Sequence, residues 1–92
     1  MIVSFRDAEA SRLFLKRKSR RFAGIAKVAL RKLDQMEAAK SLEDLRIPPA
    51  NRLELLKGDR QGQHSIRINS QFRLCFEWRH DGAHGVEIVD YH

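Results

Sequence analysis

Three consecutive residues carry the side chains that proton transfer and phosphate contact require. Asp90, Tyr91 and His92 offer a carboxyl group, a phenol and an imidazole, and they follow a strand-like run that ends at Val89. Cations that a sheet could bring close to them lie upstream, at Lys57, Arg60, Arg67 and Arg73. Proton-handling groups beside several cations favour chemistry on a phosphate diester.

The composition is that of a small basic domain. The chain has 92 residues, of which 42% are hydrophobic, so we expect one core and a single domain over residues 1–92. The formal net charge is +6 and the pI is about 10.1. Such an excess favours a polyanionic partner, either nucleic acid or an acidic protein, although solubility alone can account for a charge of this size.

Several classes of protein and site are disfavoured. Cys75 is the only cysteine, which excludes an internal disulfide, and its apolar neighbours indicate a buried hydrophobe rather than a nucleophile. Because no apolar run approaches the roughly 20 residues of a membrane span and no signal-peptide layout is present, we expect a cytoplasmic protein that contacts no membrane. The four histidines show no zinc-ligand pattern, and we expect neither a metal nor another cofactor.

The order of the elements predicts an α+β fold. A short strand is expected at residues 2–5, followed by a helix that Asp7 caps and a second helix from about Phe22 to Ala39. A further helical turn is expected before Pro48, where two prolines in a row end it. The remainder alternates with period two and predicts three strands joined by short turns, an antiparallel meander.

A cluster of cations lies around the predicted turn between the helices. From Arg12 to Lys32 there are nine Lys or Arg residues and no acid. The dense centre of this run is Lys16, Arg17, Lys18, Arg20 and Arg21. Two interpretations remain open, a solvated helix face and an electrostatic dock for nucleic-acid phosphates.

Strand parity assigns the second half of the chain to two faces. The apolar set, which should contact the helices, is Ile66, Ile68, Phe72, Leu74, Phe76, Trp78, Val86 and Ile88. The opposite set is Arg67, Arg73, Cys75, Glu77, Val89 and Tyr91. His64 falls on the apolar side at the start of its strand. Asp90 and His92 would share the face of Tyr91 only if the regular strand ended near Val89, and we therefore expect the chain to be loose or turned at Asp90.

Two cations in this half have competing interpretations. Lys57 is either an exposed turn lysine or a phosphate contact. Arg73 stands in an otherwise apolar strand, where an arginine is seldom placed without a partner. Its partner is either Glu77 or Glu87 in a salt bridge, or the phosphorane-like transition state of a phosphate diester, for which a bidentate arginine is suited.

The chain resembles the HigB-type toxins of the RelE/ParE superfamily over nearly its full length. The strongest match runs from Leu56 to Asn69, LKGDRQGQHSIRIN, and continues through Phe72-Arg73-Leu74-Cys75-Phe76 to the ending Asp90-Tyr91-His92. Weaker matches precede it at Ile2, Ser4-Phe5, Leu13-Phe14, Pro48-Pro49 and Asn51-Arg52-Leu53. The spacing from the Lys-Gly-Asp-Arg turn to the Asp-Tyr-His ending makes the resemblance specific.

The resemblance implies a RelE-like microbial RNase toxin fold: a short N-terminal strand, two helices and then an antiparallel sheet. It implies the toxin of a type II toxin–antitoxin system, a ribosome-dependent endoribonuclease that cuts mRNA in the ribosomal A site and so inhibits translation and growth. It also implies partners: a HigA-like helix-turn-helix antitoxin, the ribosome with its mRNA, and operator DNA reached indirectly through the antitoxin.

The catalytic roles that the resemblance implies map onto Lys57, Arg73, Asp90, Tyr91 and His92. Asp90 or His92 would accept the 2′ proton or protonate the leaving 5′ oxygen, Lys57 and Arg73 would neutralise the phosphorane, and Tyr91 would position or stack on a base. Arg60, His64 and Arg67 are further candidates for RNA contact.

One departure from the family pattern concerns the proton-transfer groups. Some members have a histidine three residues before the lysine, and this chain has Glu54 there. Proton transfer then rests on Asp90 and His92, or Glu54 takes the base role, or cleavage is slow. Two other functions stay open: a ParE-like gyrase-inhibiting toxin, against which the Asp-Tyr-His ending argues, and a non-catalytic nucleic-acid-binding module that uses the cations of residues 16–21.

Overall fold

A computed structural model of the chain describes residues 1–91, so His92 alone among the predicted site residues lies outside the described part. Helix α1 spans Ala8–Lys16, and the Asp7 carboxylate caps it by accepting a hydrogen bond from the N–H of Glu9 at 2.9 Å. Helix α2 spans Ala26–Ala38, after a short 3₁₀ turn at Ala23–Ile25. Both predicted helices are confirmed, with the start of the second replaced by the 3₁₀ turn.

Four antiparallel strands form one sheet in the order β1-β2-β3-β4. Their bounds are β1 Glu54–Leu55, β2 His64–Arg67, β3 Phe72–Arg79 and β4 Gly82–Asp90. The meander of β2, β3 and β4 was predicted. The two-residue strand β1 was not, because a pair of residues shows no periodicity, and it adds an edge strand beside β2.

The segment before α1 lies beside β4 in the parallel direction. Bridges pair Ile2 with Ala83 and Phe5 with Val86. The predicted N-terminal strand is therefore present as two bridges rather than as a continuous ladder. Between them, β4 carries a bulge at Gly85, whose φ of +60° lies in the region that favours glycine.

The hydrophobic core lies between the two helices and one face of the sheet. Side chains without solvent exposure come from both helices and from β2, β3 and β4: Ala10, Leu13, Leu33, Met36, Ile66, Leu74, Phe76 and Val86. The predicted division of the strands into an apolar and a polar face is confirmed, because the apolar set joins this core cluster. No helix within residues 1–91 is long and apolar enough to cross a membrane.

Candidate anion-binding site

Arg67 of β2 and Arg73 of β3 lie directly opposite each other on the sheet face that points away from the helices. The N–H of Ile68 donates to the carbonyl of Phe72, so the two arginines form a non-hydrogen-bonded pair, the position at which cross-strand side chains come closest. Like charges at directly opposed positions destabilise a sheet. An anion between the two guanidinium groups would relieve this repulsion.

Neutral acceptors orient the Arg73 guanidinium. Its Nε donates to Oγ of the buried Ser65 at 2.8 Å, and its Nη2 donates to the main-chain carbonyl of Arg52 at 2.8 Å. Both bonds leave the positive charge uncompensated while they fix the plane of the group. The remaining N–H donors are available to an anion.

The acids that could have neutralised Arg73 are engaged elsewhere. Glu77 Oε1 lies 2.8 Å from Nε of Arg79, and Glu87 Oε1 lies 2.6 Å from Nη1 of Arg60. Within residues 1–91, Arg73 has no ion pair with either acid. The salt-bridge interpretation of Arg73 is therefore wrong.

Tyr91 supplies an aromatic surface beside this charge. Its ring centre lies 5.9 Å from Cζ of Arg73, within the range of a cation–π contact. The residue remains 41% exposed, and its N–H donates to the carbonyl of Gln71 at 2.5 Å. The backbone of Tyr91 is thus anchored to the β2–β3 hairpin while its ring is accessible to a ligand.

These side chains border an open pocket of about 330 Å³. Its lining is Arg52, Arg67, Asn69, Ser70, Arg73 and Tyr91. The described lining contains three arginines and no carboxylate. A pocket of this composition is suited to a phosphate group with an attached base or sugar.

Sequence reasoning missed Arg52, Asn69 and Ser70 as pocket residues. Arg52 follows a 3₁₀ turn at Pro49–Asn51 and adopts the left-handed conformation, with φ of 48°, so that its carbonyl and its side chain both reach the pocket. The carbonyl of Asn69 accepts from Nε of Arg67 at 3.1 Å. The sequence signals for these residues were weak: Arg52 lies shortly after Pro48-Pro49, and Asn69 and Ser70 lie in a polar hairpin turn.

Two predicted cations, Lys57 and Arg60, do not line the pocket. Lys57 is exposed just before the 3₁₀ turn Gly58–Arg60. Arg60 reaches back over the sheet to Glu87, and this hydrogen bond raises the pKa of the guanidinium. Arg60 is therefore tied to an acid in the free protein, whereas Lys57 is exposed to solvent.

Asp90 does not turn onto the face of Arg73. It remains within β4, opposite Phe72, and its Oδ2 accepts a hydrogen bond from Nε2 of Gln71 at 3.1 Å. The expectation that the chain is loose or turned at Asp90 is wrong, because Asp90 still pairs with Phe72 at the start of β3. By strand parity Asp90 lies on the helix side, at the end of the sheet.

His64 lies on the helix side as well. Its ring stacks on Phe76 with centroids 6.3 Å apart, and its buried Nδ1 has no hydrogen-bond partner among residues 1–91. Burial lowers the pKa of His64, and the charge of Arg46 lowers it further. His64 does not join the arginine pocket.

One of the predicted cations after α1 has a structural role. Arg17 ends the helix in the left-handed conformation, and its guanidinium donates to both carboxylate oxygens of Asp34 at 2.9 and 2.6 Å. This bidentate bond lowers the pKa of Asp34 and ties α1 to α2. Arg17 is therefore less available to RNA than its neighbours.

The other cations of this turn are exposed and surround a second concave surface. Its volume is about 620 Å³ and its lining is Arg12, Lys16, Lys18, Ser19 and Arg20. Arg21 lies over the ring of Phe22, which packs edge-on against Phe72 at 6.3 Å. Because Phe72 pairs with Asp90, this basic turn lies at the same end of the sheet as Asp90.

Glu54 and Cys75 also belong to the polar face. Glu54 pairs with Ser65, the residue whose hydroxyl group holds Arg73, so by register its side chain is on the same face of the sheet as Arg73. Cys75, which also pairs with Ser65, has no solvent exposure. Burial raises the pKa of the Cys75 thiol, which agrees with a small buried hydrophobe and not with a nucleophile.

Comparisons with known proteins agree with this architecture. A family model described as "RelE-like toxin of type II toxin-antitoxin system HigB" matches residues 3–92. The chain is 40% identical over 93 residues to Toxin HigB-1 of Vibrio cholerae serotype O1, which covers 99% of this chain and 94% of that protein. It is 42% identical over 66 residues to an uncharacterized protein of Haemophilus influenzae, covering 72% of this chain and 65% of that one.

A solved structure has the same fold. The YoeB-YefM complex from Staphylococcus aureus superposes with a TM-score of 0.62 at 17% sequence identity, covering 100% of this chain and 98% of that chain. At this identity the likeness concerns the arrangement of helices and strands alone.

Proposed function

The chain belongs to the RelE-like HigB family of type II toxins, and we propose that it is a ribosome-dependent endoribonuclease. It cuts mRNA in the ribosomal A site and thereby inhibits translation and growth. The observation that carries this proposal is the direct opposition of Arg67 and Arg73 in a pocket whose described lining holds no carboxylate, with the exposed ring of Tyr91 at their side.

The proposed substrate is a phosphate diester of single-stranded RNA. The 2′-hydroxyl group attacks the adjacent phosphorus, the bond to the 5′ oxygen breaks, and the products are a 2′,3′-cyclic phosphate and a 5′-hydroxyl end. Because the nucleophile comes from the RNA itself, the reaction calls for no cofactor. Arg73 and Arg67 hold the phosphate, and Arg73 stabilises the extra negative charge of the phosphorane.

Lys57 and Tyr91 are assigned supporting roles. Lys57 is exposed just before the 3₁₀ turn Gly58–Arg60, and its proposed role is to add positive charge against the backbone of the bound message. Tyr91 offers its ring to an unpaired base, as aromatic side chains do in single-strand recognition. Arg52, which sequence reasoning left out, extends the anion contact to a neighbouring phosphate.

Proton transfer is assigned to Glu54 and His92. Glu54 is the proposed general base, because it pairs with Ser65 on the face of Arg73. His92 is the proposed acid for the leaving 5′ oxygen. Asp90, which lies on the helix side in the free protein, would join them only once the end of β4 turns toward the bound message. A sparse set of proton-transfer groups suffices if the ribosome holds the message in a reactive geometry.

The proposed partners follow from the family and from the charge. As the toxin of a type II system, the chain pairs with an antitoxin. We assign it a HigA-like helix-turn-helix antitoxin, through which the complex reaches operator DNA, and we assign the cytoplasm as its compartment because the ribosome works there. The basic turn of residues 16–21 is the proposed contact for ribosomal RNA phosphates.

Mapping of the 5′ ends of cleaved messages tests this function. We expect cuts within translated messages when the purified protein is mixed with translating ribosomes, and none when the same RNA is free. Cleavage of free RNA at equal rates would contradict the dependence on the ribosome. Growth arrest with DNA damage and intact messages would instead indicate a gyrase-inhibiting toxin.

A further inference from the structure

A lysine and an asparagine form a buried polar pair between α2 and the segment that precedes β1. Lys32 is 8% exposed and Asn51 is 0% exposed, and Nζ of Lys32 donates to Oδ1 of Asn51 at 2.5 Å. Within residues 1–91, no carboxylate forms an ion pair with Lys32. Burial lowers the pKa of this lysine, as expected for a cation removed from water without an acid.

The other end of the Asn51 amide holds the same segment. Its Nδ2 lies within hydrogen-bond distance of the carbonyl of Leu45, at 3.1 Å, and of Oε1 of Gln35, at 3.0 Å. Since Gln35 and Lys32 both belong to α2, the amide is held between the helix and the chain that leads to Pro48. The position of Asn51 relative to the helix is therefore defined at both ends of its side chain.

Asn51 is adjacent to the residue that orients Arg73. The 3₁₀ turn Pro49–Asn51 ends in Arg52, whose left-handed conformation aims its carbonyl at Nη2 of Arg73. A non-glycine residue with φ of 48° needs support from its surroundings, because this conformation is unfavourable for most side chains. The buried pair supplies that support one residue upstream.

We propose that Lys32 and Asn51 are positioning residues of the anion-binding site. They fix the turn at Arg52 from helix α2, and through the Arg52 carbonyl they set the plane of the Arg73 guanidinium. Neither residue touches RNA. The expected influence of this pair on the cleavage rate rests on the proposed function, whereas its expected influence on the orientation of the Arg73 guanidinium does not.

The choice of a lysine here supports a role beyond stability. A buried charged group without an opposite charge usually stabilises a fold less than an apolar side chain of similar size. A methionine would fill the same volume, yet it would leave Oδ1 of Asn51 buried without a donor. The lysine thus keeps the asparagine amide in one orientation, which an apolar residue could not do.

Side-chain NMR of the arginines in the whole chain tests the proposal without reference to activity. In the native protein, the two hydrogen bonds of Arg73 should slow rotation of its guanidinium and separate its Nη signals. In Lys32→Met we expect these signals to merge and the Nε signal to shift. Lys27→Met is the matched control, since Lys27 is exposed on the same helix, and it should leave the Arg73 signals unchanged.

Cleavage on the ribosome supplies the second measurement. The single-turnover rate should fall roughly tenfold in Lys32→Met, as expected when a reacting group is misplaced, while the half-saturating ribosome concentration changes less than about twofold. Lys32→Gln keeps an N–H donor and should recover part of both the rate and the Arg73 signals. If Lys32→Met does not fold, Asn51→Asp replaces it, because aspartate accepts from Lys32 but cannot donate to Leu45 and Gln35.

The outcomes separate the two proposals. Unchanged Arg73 signals in folded Lys32→Met or Asn51→Asp would overturn the positioning role, and so would an equal change in Lys27→Met. If the native protein cuts no message on ribosomes while the Arg73 signals respond as expected, the proposed function fails and the positioning role stands.

Discussion

Arg73 and Arg79 stand on the same face of β3, yet within residues 1–91 only Arg79 has an acid partner, Glu77 at 2.8 Å. Arg73 is instead held by a hydroxyl group and a main-chain carbonyl. Two arginines of one strand thus differ in whether their charge is compensated. This difference provides a matched pair of variants for the first prediction.

Arg73→Ala should abolish growth arrest and lower message cleavage by about 10²- to 10³-fold, because the phosphorane loses a preorganised donor. The free energy of unfolding should fall by about 1 kcal/mol, because the buried hydroxyl group of Ser65 loses its hydrogen-bond donor. Single-turnover cleavage and urea unfolding check the two parts. Deletion of His92 should relieve growth arrest as well.

Arg79→Ala is the control for this prediction. It removes the same charge from the same face, and it should leave cleavage within about twofold of the native rate, as for a surface substitution away from the site. Equal loss of activity in both variants would indicate that net charge alone matters and would contradict the assignment of the arginine pocket.

Glu54→Gln tests the proposed general base. The cleavage rate should fall by about 10²-fold, and the acid limb of the pH–rate profile should disappear because glutamine cannot titrate. Glu43→Gln is the control, since Glu43 is exposed and pairs with Arg46 outside the pocket. A native pH profile in Glu54→Gln would transfer the base role to Asp90 or His92.

The basic turn should affect association with the ribosome and not the chemical step. Lys18→Ala and Arg20→Ala should each weaken binding. Each should also reduce the slope of log Kd against log salt concentration by about one, the value expected for the loss of one phosphate contact. Arg17→Ala should instead lower the free energy of unfolding, because Arg17 joins α1 to Asp34 of α2. Binding titrations at several salt concentrations distinguish the two effects, and native affinity in both exposed variants would rule out this contact surface.

His64 makes stability depend on pH with a definite sign. Its pKa lies below 6.5 in the folded protein. As the pH falls below 6.5, the unfolded chain therefore binds a proton at this histidine more readily than the folded chain does. The free energy of unfolding decreases as the pH falls toward the folded pKa of His64, and this contribution stops changing below that pKa. The urea midpoint should therefore fall between pH 7.5 and pH 5 in the native protein, and it should fall less in His64→Leu.

Local pattern was sufficient to predict the layers of the fold and part of the site. Alternation along β2 and β3 places Arg67 and Arg73 on one face because a strand has a period of two residues. Arg52 escaped prediction because its role depends on a left-handed backbone conformation and on a carbonyl, and neither is visible in a residue type. The orientation of Asp90 was misjudged because strand pairing with the hairpin extends β4 further than its apolar pattern does.

The opposed pair of Arg67 and Arg73 makes the thermal stability of the free protein an indicator of site occupancy. Because like charges at directly opposed positions destabilise a sheet, we expect any bound oxyanion to raise the stability of the fold. Inorganic pyrophosphate or a short oligonucleotide should therefore raise the melting temperature of the native chain, and should raise that of Arg67→Ala much less. Melting curves would then detect ligands of this toxin without ribosomes, growth assays or any cleavage event.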